Sequence, residues 1–503
     1  MAQKWALPRS SRSEGKWALI VGLVRIVLRI SVCQFAVLCF AGVASAQSDA
    51  QAPASVPGQA IPGTLGVAPF SGSVPVDKPT PGVLSLSLQD AINRGLRQNL
   101  GALLSSADIQ SARGQRWQYL SALLPHVTAD PYIAVSRINL AEIGFKNPGA
   151  IGLPTGVGPF SYFDSRIGVS QSVFDWKSIN AERASRQSLK AAEFSYKDAR
   201  DLVVLAVGYS YLQGIADEAR IETAKAQVST AQALYDQAAN RVKAGTSPQI
   251  DSLRASVELQ TRQQQLIQAK NDFSIQKLTI ARVIGLAPGQ EFDLTDKSPY
   301  QPFQSVSLDE ALHRAYASRS DYQAAVADTR AAEYARKSAA AGYLPSVSFG
   351  ADYGAAGSHP STATSVYDVK GTLHIPIFLG GSVHGDVLQA DARLQQARDR
   401  QENLRAQIDA DVRTASFNLE SSAEQVNVAR SNIDLAEQTL AQARDRFSAG
   451  VTDTVEVVQS QELVASAHEQ YITSLYNYNL AKITLARAIG AAEENVKSYF
   501  KGN

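Results

Sequence analysis

The most constraining feature of the sequence is an uninterrupted helical stretch from Lys177 to Ala244. It contains no proline and only two glycines, and its apolar residues keep helical spacing. Near its end, small and apolar residues alternate steps of four and three, as in a coiled coil: Ala224, Val228, Ala231, Tyr235, Ala238 and Val242. At about 1.5 Å per residue this helix is on the order of 100 Å long, which no compact domain of this size can hold.

The long helix belongs to a unit that occurs twice. "RVKAGTSPQID" at Arg241 matches "RFSAGVTDTVE" at Arg446, which lies 205 residues further on. "KLTIARVIGL" at Lys277 matches "KITLARAIGA" at Lys482 with the same spacing. Each copy predicts the order helix, strand, loop, strand, very long helix, tight turn and return helix.

A Leu-Pro pair marks the change from helix to strand in both copies, at Pro125 and Pro345. Proline disfavours a helical conformation in the residue before it and cannot continue the helical ladder. Alternating patterns follow, with loops expected at 138–162 and 356–366. The apolar positions of the four runs are Val127, Ala129, Pro131, Ile133 and Val135; Phe163, Ile167, Val169 and Val173; Val347, Phe349, Ala351 and Tyr353; and Tyr367, Val369, Leu373, Ile375 and Ile377. Alternation of this kind is typical of membrane strands and of half-buried strands in soluble sheets, and it does not separate the two.

The helix lengths indicate how each copy is arranged. The helix before Pro125 has roughly 23 residues and the return helix roughly 37, which together nearly match the 68-residue helix between them. Each copy therefore predicts two antiparallel rods, one continuous and one made of two stacked pieces. Four strands cannot close a barrel, and an open sheet edge cannot lie in lipid, so the chain is expected to oligomerise. Three chains would supply twelve strands and twelve rods, although the sequence leaves the number open.

The N-terminal segment is typical of an export signal. Its basic residues are Lys4, Arg9, Arg12, Lys16, Arg25 and Arg29. An apolar run and the small residues Ala44 to Ala46 follow, which favours cleavage over a retained anchor. The predicted organisation is a signal peptide at 1–46, a flexible tether at 47–83, repeats at 84–286 and 307–491, a linker at 287–306 and a tail at 492–503. Both cysteines, Cys33 and Cys39, fall in the signal, so the mature chain is expected to have none.

Composition and motifs argue against several classes of function. A net charge of +1 gives no electrostatic reason for nucleic-acid binding. The sequence has no phosphate-binding loop, its six histidines show no zinc spacing, and no Ser-His-Asp set is recognisable. We therefore expect no cofactor, no metal site and no enzymatic activity.

Over about residues 87–491, with both glycine turns and both "ARxIG" ends in register, the chain resembles the TolC family of outer membrane efflux proteins. The resemblance implies a mixed α+β membrane protein. It would form a homotrimer whose duplicated unit builds a long antiparallel coiled-coil tunnel in the periplasm. Each chain would contribute four strands to a shared twelve-stranded transmembrane β-barrel in outer membrane lipid. It also implies docking to a periplasmic adaptor and an inner-membrane pump, with drugs, toxic small molecules, metals or exported proteins as cargo.

The resemblance also implies roles for the tight turns. Gly245 and Gly450 end the long helices, where glycine tolerates a left-handed conformation. In the family this turn is the closed periplasmic tip and the adaptor contact. Arg241 and Arg446 lie one turn earlier and match the family's basic position. Each also fits an exposed arginine favoured by the helix dipole, and the two interpretations are compatible.

Glu456 falls where the family has an acidic residue at the narrowest aperture, so three copies would form a ring that favours cations. The alternative is an ordinary exposed carboxylate on the return helix. Asp251 is its equivalent in the first copy and is expected in the network that holds the tip shut. The family often completes that network with a tyrosine and an arginine, whereas this chain has Phe447 and Thr452. Gln459 replaces a second acidic position, so the tip is expected to be held differently.

Two other classes of protein compete with the channel interpretation. A periplasmic coiled-coil adaptor or structural protein would have no barrel, and its strands would face water. The duplicated pair of alternating strands argues against it. A general porin would need many more strands and no helices of this length.

Overall fold

The computed structural model describes residues 70–75, 79, 81–142, 144, 148–152, 154–296, 300 and 307–493. The predicted signal peptide, most of the tether, and much of the linker and tail lie outside these residues. The helices are α1 Leu88–Gln98, α2 Leu100–Ser121, α3 Trp176–Lys243, α4 Gln249–Ile284, α5 Leu308–Ser318, α6 Ser320–Ala340, α7 Ser382–Ser448 and α8 Thr454–Ala488. The strands are β1 Leu84–Leu86, β2 His126–Ala129, β3 Tyr132–Asn139, β4 Gly156–Phe174, β5 Phe292–Leu294, β6 Ser346–Gly357 and β7 Thr364–His374.

Both repeats form the expected pair of rods. Helices α3 and α7 are continuous, with 68 and 67 residues. The second rod of each repeat consists of two helices, α2 with α4 and α6 with α8, as the sequence predicts. Helix α3 packs against α2 and α6 near the strands and against α4 and α8 near the turns, while α7 packs against α6 and α8. The side-by-side order is therefore α2–α3–α6–α7 at one end and α4–α3–α8–α7 at the other.

The short helices lie where the two pieces of a rod meet. Ser87 and Ser307 cap α1 and α5, each accepting a hydrogen bond from a backbone N–H three residues later. Helix α1 packs against α3 and α4, around a core that includes Val203, Val207 and Ile284. A second core joins α5 to α7 and α8. Ile408, Val412 and Leu485 are among its buried residues. Burial of these apolar side chains fixes the height at which each broken rod is joined.

The long strands form one antiparallel sheet in the order β2–β4–β6–β7, with β3 also paired to β4. The register places Ile167 opposite Tyr353 and Tyr353 opposite Tyr367, so apolar side chains share one face. Nine large apolar residues on this face are each at least 59% exposed: Val127, Ile133, Val135, Ile167, Val173, Tyr353, Tyr367, Val369 and Leu373. The opposite face is charged, with Arg166 paired to Asp164 at 2.9 Å and to Asp352 at 3.2 Å.

The strand boundaries differ from the sequence prediction in three respects. The first run is not one strand, because proline has no N–H for the ladder and the strand breaks before Tyr132, after Asp130 and Pro131. Five segments therefore fill the four strand positions among the described residues of this sheet. The predicted loops 138–162 and 356–366 are too long, since pairing continues to Asn139 and Gly357. Strand β7 ends at His374, so the alternation at 375 and 377 lies outside the sheet.

Candidate functional site at the hairpin turns

The turns α3–α4 and α7–α8 share one backbone geometry. Gly245 and Gly450 have φ values of 71° and 74°, in the left-handed region where glycine carries no steric cost. In the first turn the N–H of Thr246 donates to Arg241 O at 2.9 Å and that of Gly245 to Val242 O at 3.0 Å. The second turn repeats both bonds at the equivalent residues. This is the Schellman motif, which satisfies the carbonyl groups left free at a helix end.

In the second turn, Glu456 is held by its own hairpin. Arg446 Nε lies 3.1 Å from Glu456 Oε1, and Thr452 Oγ1 donates a hydrogen bond to Glu456 Oε2. The Glu456 side chain remains 40% exposed. The structure thus brings three of the sequence-predicted residues together, and the carboxylate keeps access to water while its charge is partly compensated.

In the first turn, Arg241 reaches the other hairpin instead. Its Nη2 donates to the backbone carbonyl of Ser448 at 3.1 Å, at the end of α7. Its guanidinium carbon lies 4.5 Å from the centroid of the Phe447 ring. A cation above an aromatic ring and at a helix C-terminus is favoured on both counts. Arg241 and Arg446 are equivalent in sequence, but among the described residues Arg241 bonds to the opposite hairpin, whereas Arg446 pairs with Glu456 of its own hairpin.

Phe447 occupies a position at which a tyrosine is common in the family that the sequence resembles. The ring is only 1% exposed and lies in an apolar cluster drawn from all four helices near the turns. Its buried members are Leu234, Ala238, Ala255, Leu440, Ala443, Phe447 and Val457. Without a hydroxyl, Phe447 contributes by burial and by the contact with Arg241 rather than by a hydrogen bond.

Asp251 is 5% exposed and is satisfied locally. Ser247 Oγ donates to its Oδ2 at 2.5 Å, and Arg254 Nη1 lies 4.0 Å from its Oδ1. Within the described residues, no hydrogen bond or ion pair joins Asp251 to Glu456. The two equivalent carboxylates therefore have different surroundings.

At the other end of the rods, Pro125 lies between α2 and β2, and Pro345 directly precedes β6. Sequence reasoning did not single out Arg262, a buried arginine on α4 that contacts α8. The equivalent residue in the second copy is Ala467, 205 positions later, and neither residue type marks a buried position in the sequence.

Two other kinds of feature are absent from the part of the chain that the structure describes. No cluster of three or more His, Cys, Asp or Glu side chains in it is arranged to hold a metal ion. None of its helices combines the length and the apolar character that crossing a membrane requires.

Paired helical rods that end in glycine turns, together with a sheet that has an exposed apolar face, are the fold of a class of outer membrane proteins of solved structure. The chain shares this fold with VceC of Vibrio cholerae, an outer membrane protein of solved structure. The TM-score is 0.70 at 18% identity, over 80% of this chain and 96% of VceC.

The chain belongs to the outer membrane efflux protein family, whose model matches residues 96–286 and 311–491. It is similar to the toluene efflux pump outer membrane protein TtgF of Pseudomonas putida, with 23% identity over 81% of this chain and 82% of TtgF. It is also similar to the outer membrane protein TolC of Escherichia coli, with 22% identity over 65% of this chain and 69% of TolC. The resemblance to the TolC family is therefore confirmed, and the protein is an outer membrane channel of efflux or secretion.

Proposed function

We propose that three copies of the chain form a closed twelve-stranded barrel in the outer membrane and a tunnel of twelve rods in the periplasm. The channel is a passive conduit without enzymatic activity, and it receives its cargo from a periplasmic adaptor and an inner-membrane pump. The names of its relatives span toluene efflux, pyoverdine export and alkaline protease secretion. Drugs, toxic small molecules, metals and exported proteins therefore all remain within the proposed cargo range.

The open edges of the chain carry this proposal. Among the described residues, β7 pairs only with β6, and β2 and β3 pair only with β4, so both sheet edges have free backbone groups. Such edges cannot remain unpaired in lipid. Pairing each edge with the opposite edge of another copy satisfies them without any further component.

The helical edges support the same association. Helix α4 lies at one edge and α7 at the other, and both expose large apolar side chains. On α4 these are Ile250, Leu253, Val257, Ile267, Ile275 and Leu278, and on α7 they are Leu388, Phe417, Val428 and Leu435. Apolar faces of this extent on a rod favour contact with a partner helix. In a second copy, α7 could lie beside α4 of this chain near the turns and beside α2 near the strands.

The exposed apolar face of the sheet supports a position in lipid. Side chains such as Val135 and Tyr367 are 70% and 77% exposed, whereas a half-buried sheet in water would cover this face with a core. The charged face, with Arg166 between Asp164 and Asp352, then lines the lumen. Glu456 would form a ring near the periplasmic end and favour cations.

The test is the single-channel conductance of the protein, purified from the outer membrane and inserted into a planar lipid bilayer. We expect small, mostly closed, cation-preferring openings and a mass of three chains in detergent. A protein that fractionates with the periplasm, stays soluble without detergent and never inserts would contradict the proposal and favour a periplasmic coiled-coil adaptor.

A further inference from the structure

A buried arginine joins the two hairpins well above their turns. Arg262 on α4 is only 3% exposed. Its Nη2 donates to Glu462 on α8. Its Nε donates to Glu258 Oε1 at 2.7 Å, and its Nη1 to Gln265 Oε1 at 2.9 Å. Burial of a guanidinium costs several kcal/mol unless its charge is paired, and here two carboxylates and an amide supply the partners.

The arginine remains charged in this position. Burial opposes the charge, but the hydrogen bonds to Glu258 and Glu462 outweigh burial and raise the pKa of Arg262 above its ordinary value. Glu258 and Gln265 belong to the same helix as Arg262, whereas Glu462 is 68% exposed on the other hairpin. The acceptors within α4 therefore keep the arginine paired even if the contact with α8 is broken.

The duplication shows that this contact exists in one direction only. The equivalent of Arg262 in the second copy is Ala467, which is 6% exposed. The equivalent of Glu462 in the first copy is Val257, which is 65% exposed. Each hairpin thus carries one half of the pair and lacks the other half. The first hairpin supplies the cation and the second supplies the carboxylate.

Arg262 adds a second level to the contact made by Arg241. Arg241 contacts the end of α7 at the turn, while Arg262 lies roughly three and a half helical turns along α4 from Gln249. Near the turns the hairpins also pack directly, through α3 against α8, so that rotation of one against the other is opposed there by packing. Two points at different heights, with the apolar cluster of the turns between the same hairpins, resist that rotation.

We propose that Arg262 and Glu462 form a clasp that links the two hairpins of one chain and resists rotation of the second hairpin against the first. Among the described residues the second hairpin supplies no equivalent arginine and the first no equivalent carboxylate. The clasp is a property of the single chain, so its test does not depend on the proposed channel function.

The clasp is tested by distances between spin labels on the two hairpins. Gln263 on α4 and Ser466 on α8 are both exposed, and residues 47–503 contain no cysteine, so cysteines introduced at these positions are labelled selectively. Labelled chains are diluted with unlabelled chains, so that only pairs within one chain contribute. The parent protein should give a short, narrow distance distribution.

Glu462→Ala should shift this distribution to longer distances and widen it, and Glu462→Lys should shift it further because the two cations repel each other. Both variants leave Arg262 paired within α4, so the helix is expected to fold. Arg262→Met, which keeps much of the apolar volume, should resemble Glu462→Ala. The matched control is Arg413→Met, which breaks an exposed pair within α7, with Asp409 at 2.7 Å, and should leave the distribution unchanged.

Unchanged distances in Glu462→Lys and Arg262→Met would overturn the clasp. Bilayer recordings of the same proteins separate this failure from that of the proposed function. A parent protein that conducts, with label distances that do not respond to these substitutions, refutes the clasp alone. Label distances that respond in a protein that never conducts refute the channel and leave the clasp standing.

Discussion

The two hairpin turns have the same backbone and different contacts. Both end in a left-handed glycine and a Schellman motif, and both carry an arginine one turn earlier. Arg241 of the first turn extends to the other hairpin, whereas Arg446 of the second turn bonds to Glu456 of its own hairpin. The duplicated backbone has been kept while its side chains have diverged. The first hairpin holds its neighbour, and the second presents an exposed carboxylate.

The largest difference between the two turns is expected in the loss of stability when the residue after each arginine, Phe447 or Val242, is replaced by alanine. Phe447→Ala removes a ring that is 1% exposed and should destabilise the turn region by about 3–5 kcal/mol. Val242, its equivalent, is only half-buried, and Val242→Ala should cost about 1 kcal/mol. Amide hydrogen exchange in the last turns of α3 and α7 measures both values. Equal losses would show that the cluster does not distinguish the hairpins.

The two long helices should also differ in how their stability depends on pH, because α3 carries the buried carboxyl group of Asp201. Burial raises the pKa of Asp201 to about 6, reinforced by Asp198 and Glu493 and opposed by Arg487 and the N–H of Glu493. Because the folded pKa is above the unfolded value, the ionised carboxylate costs stability at neutral pH. That cost disappears as pH falls from about 6 towards 4, a change on the order of 3 kcal/mol.

Asp201→Asn should remove this part of the pH dependence, because the amide oxygen can still accept from the N–H of Glu493, now 3.2 Å away. Above pH 6 the thermal midpoint of the variant should be higher than that of the parent, and the two midpoints should converge near pH 4. Ala406, which lies 205 residues after Asp201, offers no titrating group in the second helix. Parallel pH profiles for the two proteins would contradict the assignment to Asp201.

Replacing either of the two equivalent arginines, Arg241 and Arg446, by alanine should cost less stability. Arg241→Ala loses the contact with the Phe447 ring and the bond to Ser448 O, together about 1–2 kcal/mol. Arg446→Ala loses a pair that is more than half exposed on the arginine side, worth at most about 1 kcal/mol. Protease cleavage rates at the turns report both. A larger loss for Arg446 would reverse the roles given to the two hairpins.

The two equivalent acids should differ in ion selectivity with little change in stability. Glu456→Gln is expected to weaken the cation preference of the channel, and Arg446→Ala to strengthen it by releasing the carboxylate. Asp251→Asn serves as the control, because Asp251 is 5% exposed and bonded to Ser247. Reversal potentials in a salt gradient measure all three. Unchanged selectivity in Glu456→Gln would remove the aperture role from this residue and leave the fold intact.

The sequence predicted the rods, the turns and the sheet because each depends on a local signal. The proline-free run, the glycine after each long helix and the period-two strands are all properties of neighbouring residues. The break near Pro131 was missed because the alternation continues through it, although a missing N–H interrupts the ladder.

The contacts between hairpins were not predictable in the same way. Arg241 and Ser448 are 207 residues apart, and their meeting depends on how one hairpin is rotated against the other. Equivalent residues in a duplicated chain suggest equivalent contacts, and Arg241 and Arg446 show that this expectation fails. The burial of Arg262 was not predictable either, because equivalent positions need not be buried alike. Phe447 is 1% exposed, whereas its equivalent Val242 is half-buried.

The length of each broken rod is tied to the length of the continuous helix beside it. Helix α3 has 68 residues, while the 22 of α2 and the 36 of α4 must cover the same height, together with the junction beside α1. Removing seven residues from α3 alone would shorten one rod by about 10 Å and leave the other too long to meet it. Relatives with longer or shorter channels must therefore gain or lose helical turns in matched pairs, in both repeats at once. The length of the channel is therefore set by four rods in each chain, and all four must have the same length.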